Sequence, residues 1–296
     1  MGETLTAADV TGTAQAGSAS TITLDTGASA VDDAYKGMVI ETTGGAGSGQ
    51  TRVISAYDGA SKVATVVPNW TTNPDATTTF AIRANALYRP VSTGLETGTG
   101  WLYDLAAAPA TDSLLRQIIG SAGNLQLEGT VRGLLRATYR MQGILPDDPA
   151  NVAPPGTPAF DATRPRPILQ ADAYLGGSAV KFRTFSLDLG NTVQQADDPA
   201  ARYGYDIAGV TARRMTGSVN PLLGLLSQRN SFADFTAGTP RSLWLRYGNV
   251  PGNRISLFVP EAVYTGAEPS DIDGYNAENL AFECAGFDSG VYICVH

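Results

Sequence analysis

Phe182-Arg183-Thr184-Phe185-Ser186-Leu187-Asp188-Leu189 decides how the rest of the chain is read. From Phe185 onward apolar and polar residues alternate strictly, which is the period of a strand with one face buried. Gly190-Asn191 closes it as a turn. A charged connection runs from Gln194 to Arg202, with Asp197-Asp198 ahead of Pro199. A second run then extends from Tyr203 to Arg214 and ends at Met215-Thr216-Gly217-Ser218-Val219. The stretch from Lys181 to Ser218 therefore predicts two strands and their connection. It specifies a surface and a fold, not a reaction.

The phrase Phe185-Ser186-Leu187-Asp188-Leu189-Gly190-Asn191, an acidic loop, and then Arg213-Arg214-Met215-Thr216-Gly217-Ser218-Val219 resembles the tail tube (major tail) proteins of long-tailed bacteriophages. Upstream, Gly120 to Leu127 leads on to Tyr139-Arg140-Met141-Gln142-Gly143-Ile144 and a proline-rich loop. Downstream come Phe232 to Thr239 and the run from Glu268 through Asp271-Ile272-Asp273-Gly274. The resemblance covers roughly residues 100–296, lies in the order of these phrases, and leaves the first ninety residues unmatched.

Charged residues make up only 16% of the 296, and glycine and proline are frequent, a composition suited to many short strands joined by turns. The formal charge of −8 argues against gripping nucleic acid, because phosphate binding needs Lys and Arg to displace counterions. It suits a surface that DNA slides past. Met1-Gly2-Glu3-Thr4 lacks the basic and apolar regions of a signal peptide. No apolar run approaches the ~20 residues of a membrane helix. Cys284 and Cys294 read as buried thiols of the final strands, with a disulfide as the alternative.

Residues 1–90 read as a small all-β, decoration-like module. Thr21 to Leu24 and Gly37 to Thr42 are strands. Gly44-Gly45-Ala46-Gly47-Ser48-Gly49-Gln50-Thr51 mimics a phosphate-binding loop, but Gln50 stands where a lysine must neutralise phosphate. The loop leads into Arg52 to Tyr57 rather than a helix, and Asp58-Gly59 turns that run back as Lys62 to Val67: a hairpin. Thr77 to Arg83 closes the module, and Asn85 to Pro90 reads as its boundary.

Residues 91–296 form the second domain. Asp112 to Ile119 suits a helix capped by Thr111 or Asp112; the resemblance implies a strand instead, with a hairpin at Gly120 to Gly123. Leu134 to Met141 reads as a strand ended by Gly143. Residues 144–168 hold seven prolines and predict a long loop or arm, since proline donates nothing to a ladder. Such a loop is a flexible linker or a functional element. The resemblance implies that it reaches to a neighbouring ring, which makes Pro146, Pro149, Pro154, Pro155, Pro158, Arg164 and Arg166 the candidate contact residues. Ser231 to Phe235 reads as a short helix capped by Ser231, stopped by Gly238, with Phe232 and Phe235 sharing its buried face. Ser242–Tyr247, Arg254–Val259 and Leu280–Cys284 are strands, and Val291–Val295 closes the sheet or lies on its edge.

His296 is the one histidine, and a terminal residue is usually frayed, which argues against histidine triads and cages. Asp271 to Gly274 lacks the further acids of a calcium loop and reads as a turn. Trp70, Trp101 and Trp244 occur singly and read as core or interface residues. No catalytic, cofactor or metal residue is assigned.

The expected fold is mainly β: a tail-tube-type β-sandwich or barrel with one short helix and a long proline-rich loop, preceded by the small β module. The resemblance implies a non-enzymatic virion protein that assembles into stacked hexameric rings forming a DNA conduit. Its implied partners are copies of itself, a tape-measure protein, and tail-tip and tail-terminator proteins, with no membrane and no specific DNA binding. Its place would be the virion tail, and the host cytoplasm during assembly. The alternatives are another virion component, such as a capsid decoration or tail-tip protein, and a carbohydrate-binding β protein.

Overall fold

In the computed structural model, residues 1–105, 113–153, 167–248, 250 and 252–296 are described, and they are mainly β with several antiparallel sheets. Seven strands from the first third of the chain make one sheet, in the order Val10–Thr13, Thr79–Ile82, Val39–Gly44, Thr51–Asp58, Val63–Val67, Thr21–Thr23, Ala16–Gly17. Only Ala14 and Gln15 separate its two outermost strands in sequence, so the sheet has to curl on itself. Ile22, Leu24, Ile40, Ile54 and Phe80 fill the inside. The expected hairpin from Arg52 to Val67 is present. The glycine-rich loop is a turn held by Gln50, whose amide donates to the carbonyls of Gly47 and Thr72 and accepts from the N–H of Thr71 and Thr72. The residue that spoils a phosphate loop is the one that ties this turn down.

A larger antiparallel sheet runs in the order Gly2–Thr6, Asn85–Arg89, Tyr292–Val295, Ile255–Ile272, Tyr275–Cys284, Thr216–Pro221, Phe182–Asp188, Ser113–Thr130, Gly98–Leu105. Arg241–Tyr247 joins it through Ile255–Ile272, and Asp172–Leu175 pairs with Arg241–Tyr247 in turn. Phe185, Leu187 and Leu189 are all buried, as their alternation requires, in a core with Val219, Leu243, Tyr264, Leu280 and Phe282.

The two sheets share a second core. Trp244, Phe258, Tyr292 and Cys294 of the large sheet pack with Ile40, Trp70, Phe80 and their neighbours in the first. Trp244 is fully buried, donates its indole N–H to Ser256 Oγ at 2.8 Å and stacks on Tyr174. Gly37, at φ 83°, lets the first sheet approach: a Cβ there would sit 2.5 Å from the ring of Tyr292. At the rim of this contact Glu41 takes Arg254 at 2.6 Å and Arg246 at 3.6 Å on one oxygen, and Arg83 at 3.2 Å on the other.

Several expectations are corrected. Asn85–Arg89 is not an irregular boundary but a strand between Gly2–Thr6 and Tyr292–Val295, anchored by buried Leu87, so two strands from residues 1–90 belong to the large sheet. Gln194–Arg202 is not simply a connection, since Asn191–Asp197 pairs with Tyr205–Arg213 as a hairpin. Both faces of that first strand are largely solvated, which is why it lacks an apolar period. Gly120–Gly123 is not a hairpin: Ser113–Thr130 runs straight through as one strand, with an irregularity where Gly120 adopts φ 57° and Ile207 packs against it. The strand expected from Leu134 runs Arg136–Ile144 and takes in Gly143. Within 144–168, Ala150–Val152 is a short strand on Ser113–Thr130, and Ile168 bridges to Val131.

Helix Ser231–Ala237 stops at Gly238 in the left-handed conformation, but its cap is Asn230, which accepts the Ala233 N–H. Ser231 donates instead to Glu278, and Asp234 grips Arg241 in a bidentate pair. Those two polar residues are the buried ones; Phe232 is 64% exposed. Tyr292–Val295 is an interior strand rather than an edge. Both cysteines are free and buried, and burial pushes each thiol up to about 12.

His296 is not frayed. It is buried, exchanges two backbone hydrogen bonds with Arg254, and is held down to about 4 by burial and by Arg246 and Arg254. Its ordinary value is 6.5, so on acidification the unfolded chain binds the proton first. The stabilisation is full above about pH 6.5 and falls as pH drops to about 4, by about 3 kcal/mol. His296→Gln should flatten the fall of the urea midpoint across that window. Glu41→Gln should lower unfolding free energy by about 2 kcal/mol at neutral pH, since it removes the one carboxylate that three guanidinium groups share; urea denaturation measures this.

Candidate functional site

The large sheet ends in strands with an unpaired outer side. Among the described residues, Gly2–Thr6 pairs only with Asn85–Arg89, and Gly98–Leu105 only with Ser113–Thr130. Ser113–Thr130 is eighteen residues long because it serves two neighbourhoods. Its first part lies between Gly98–Leu105 and Ala150–Val152, its second between Arg136–Ile144 and Phe182–Asp188. The first part thus forms an arm whose strands carry solvent-facing apolar side chains, with Trp101 57% and Leu102 49% exposed. An Arg116–Asp104 pair at 2.9 Å crosses it, but both partners are well solvated and contribute little.

Beside the arm, Arg136–Ile144 exposes Tyr139 and Met141 to 68% and 62%. They border a mostly apolar groove of about 420 Å³, which Tyr88, Leu125, Ile293 and Met1 also line. The groove lies between Asn85–Arg89 and Tyr292–Val295 on one side and Ser113–Thr130 and Arg136–Ile144 on the other. Its lining residue Asn124 donates to Asp188. Burial alone would raise this carboxyl, but hydrogen bonds from Asn124, Gln126 and the Gly190 N–H outweigh that and hold it below the usual range. Asn191 then returns to Asn124 and Gly123, so the turn after the opening strand is locked to the long one.

A second exposed face surrounds the helix. Leu223, Leu225, Leu226 and Phe232 are each more than half exposed. Of these, Leu226 lines a polar notch of about 190 Å³ together with Arg229, Asn230, Asp234, Arg241 and Tyr264. Arg229 binds Glu278 at 3.1 Å, and Arg241 binds Asp234 at 2.8 and 2.5 Å. The Tyr264 hydroxyl is buried with no partner, and burial raises it well above the ordinary tyrosine range, so it stays protonated.

Of the contact residues expected from sequence, Pro146 and Pro149 lie just before Ala150–Val152, the first half-buried and the second exposed. Between them Asp148 reaches Arg202 at 2.6 Å, joining this segment to the turn of the Asn191–Arg213 hairpin. Pro154, Pro155, Pro158, Arg164 and Arg166 lie outside the described residues. Trp70 and Trp244 are core residues, whereas Trp101 is on the arm. The Asp271–Gly274 turn joins two strands, with Asp271 accepting the Gly274 N–H. Sequence reasoning missed the Tyr139/Met141 groove and the polar notch beside the helix. The sequence carries no local signal for them, since an exposed apolar residue of a strand or loop reads like a buried one.

No protein-family model matches the chain, and no curated protein matches it in sequence. The open edges and the two exposed apolar faces therefore carry the functional argument.

The double variant Tyr139→Ser/Met141→Ser removes apolar surface that faces water in the single chain. Its unfolding free energy in urea should match wild type within about 0.5 kcal/mol, while light scattering at high protein concentration should show weaker self-association.

Proposed function

We propose that this chain is a bacteriophage major tail (tail tube) subunit, assembling into stacked hexameric rings that form a DNA conduit. The observation that carries the reading is the large sheet with unpaired outer strands flanked by exposed apolar side chains. Unpaired strand edges are templates for pairing with another chain, and natural monomers blunt or cover them. Exposed apolar area beside them favours a protein partner of like construction. The ordered resemblance of residues 100–296 to tail tube proteins and the acidic balance of the chain point the same way. In such an assembly a contact that closes makes the ring and one that does not close extends the tube.

On this reading the chain has no catalytic role and no cofactor. Its partners are its own copies, together with tape-measure, tail-tip and tail-terminator proteins, and its place is the virion tail after assembly in the host cytoplasm. DNA passes through the lumen without specific contacts. The segment 144–168, with Pro146 and Pro149 at its start, is proposed to contact the neighbouring ring. A capsid decoration or tail-tip role would use the same exposed edges in a different symmetry. A carbohydrate-binding role needs aromatic residues gathered in one cleft, and Trp70 and Trp244 are committed to the core.

Negative-stain imaging of the purified chain at rising concentration tests this. Long hollow tubes of six-fold rings are expected; monodisperse particles under all conditions would contradict it.

A further inference from the structure

Two strands lack a neighbour on their outer side and carry surfaces that complement each other. Gly98–Leu105 and Arg136–Ile144 are eight and nine residues long, and among the described residues each pairs only with Ser113–Thr130. The first is bonded along residues 113–121 of that strand and the second along 119–128. Their inner edges are thus spent on one shared strand, which holds their outer edges apart within a chain. Between two copies no such bar exists.

The two-residue period sorts the side chains of each strand. On Arg136–Ile144, Ala137, Tyr139 and Met141 line the apolar groove, which leaves Arg136 and Arg140 on the opposite face. Both arginines are exposed and have no ion pair among the described residues, Arg140 acting on the Asp188 carboxylate only as a nearby charge. On Gly98–Leu105, Trp101 and Tyr103 share one face, and Leu102 and Asp104 the other. Trp101 is more than half exposed.

Laid edge to edge, the strands match on both faces at once. With Trp101 and Tyr103 on the side of the groove, Asp104 comes out on the side of Arg136 and Arg140. The bond from Arg116 does not exhaust Asp104, because a carboxylate accepts several donors. The reverse placement would set a carboxylate over Tyr139 and Met141 and leave the arginines unmatched. Main-chain groups of one edge supply what the other lacks, which a small apolar solute in the groove would not do.

We infer that Gly98–Leu105 of one copy pairs along the outer edge of Arg136–Ile144 of the next, with Trp101 covering the Tyr139/Met141 groove and Asp104 beside Arg136 and Arg140. This rests on the proposed self-assembly and names the two surfaces that meet in it. Arm and groove are different patches, so the contact is head-to-tail and builds rings or filaments rather than symmetric pairs.

Tryptophan emission reads the contact in the unaltered chain, since Trp70 and Trp244 are buried and Trp101 is open to a quencher. Acrylamide should quench part of the emission of the dilute chain, and that part should become protected in assembled material. Trp101→Ser should leave the urea midpoint unchanged, because the side chain faces water. It should raise the concentration of self-association, read by sedimentation velocity, about tenfold or more. Mixing variants tests the pairing itself. Tyr139→Ser/Met141→Ser spoils the groove and keeps the arm, so with Trp101→Ser it should form one-to-one pairs at a concentration where each variant alone is a monomer. If wild type assembles with Trp101 still open to acrylamide, or the mixture stays monomeric, the inference fails while the tail tube reading stands. If wild type never assembles, that reading fails and takes the inference with it.

Discussion

The packing of one sheet across the other is the constraint on which the molecule depends. Trp244, Phe258, Tyr292 and Cys294 are contributed by the large sheet, yet they complete the core of the small one. Burying such aromatic side chains is worth several kcal/mol each, and truncating one costs about 3–5 kcal/mol. Glu41, fastened by three arginines at the rim, fixes the angle of approach as well as the fact of contact. Strands Gly2–Thr6 and Asn85–Arg89 make the joint covalently continuous, because the chain enters and leaves the small sheet through the large one.

With its interior secured in this way, the large sheet presents edges that are unpaired among the described residues. The long strand Ser113–Thr130 holds the core through Leu127 and carries an exposed arm at its other end. One strand thus transmits the rigidity of the core to the outward-facing surface. The Asp188 cluster serves the same purpose on the groove side, since Asn124, Gln126 and Asn191 converge there. Rigid presentation lowers the ordering cost of a contact between copies, and that is the physical basis on which self-assembly is proposed.

Much of the fold is legible in the sequence. Phe185, Leu187 and Leu189 declare their buried face by period alone, and Asp58-Gly59 declares its hairpin. The errors have a common source: elements whose pattern is set by something other than local period. Asn191–Asp197 is a strand with both faces wet, and nothing in Gln194-Gln195 says so. Gly120 marks a bulge occupied by Ile207, a contact eighty-seven positions away that no local rule reports. The helix reverses the expected faces, because Arg229 and Arg241 draw Ser231 and Asp234 inward through Glu278 and direct pairing, which turns Phe232 to solvent. His296 is buried by pairing with Arg254, a partner set by tertiary structure. The candidate surfaces were harder still to read, since an exposed Tyr139 looks in sequence like any tyrosine of a strand.

The central claim is that the open edges of the large sheet are where copies of the chain meet. Amide hydrogen exchange of Gly2–Thr6 and Gly98–Leu105, compared between dilute chain and assembled material, measures this directly. The account predicts that amides exchanging freely in the dilute chain become protected on assembly, while those of Tyr292–Val295 stay protected in both. Identical exchange of the two edge strands in both states would contradict it.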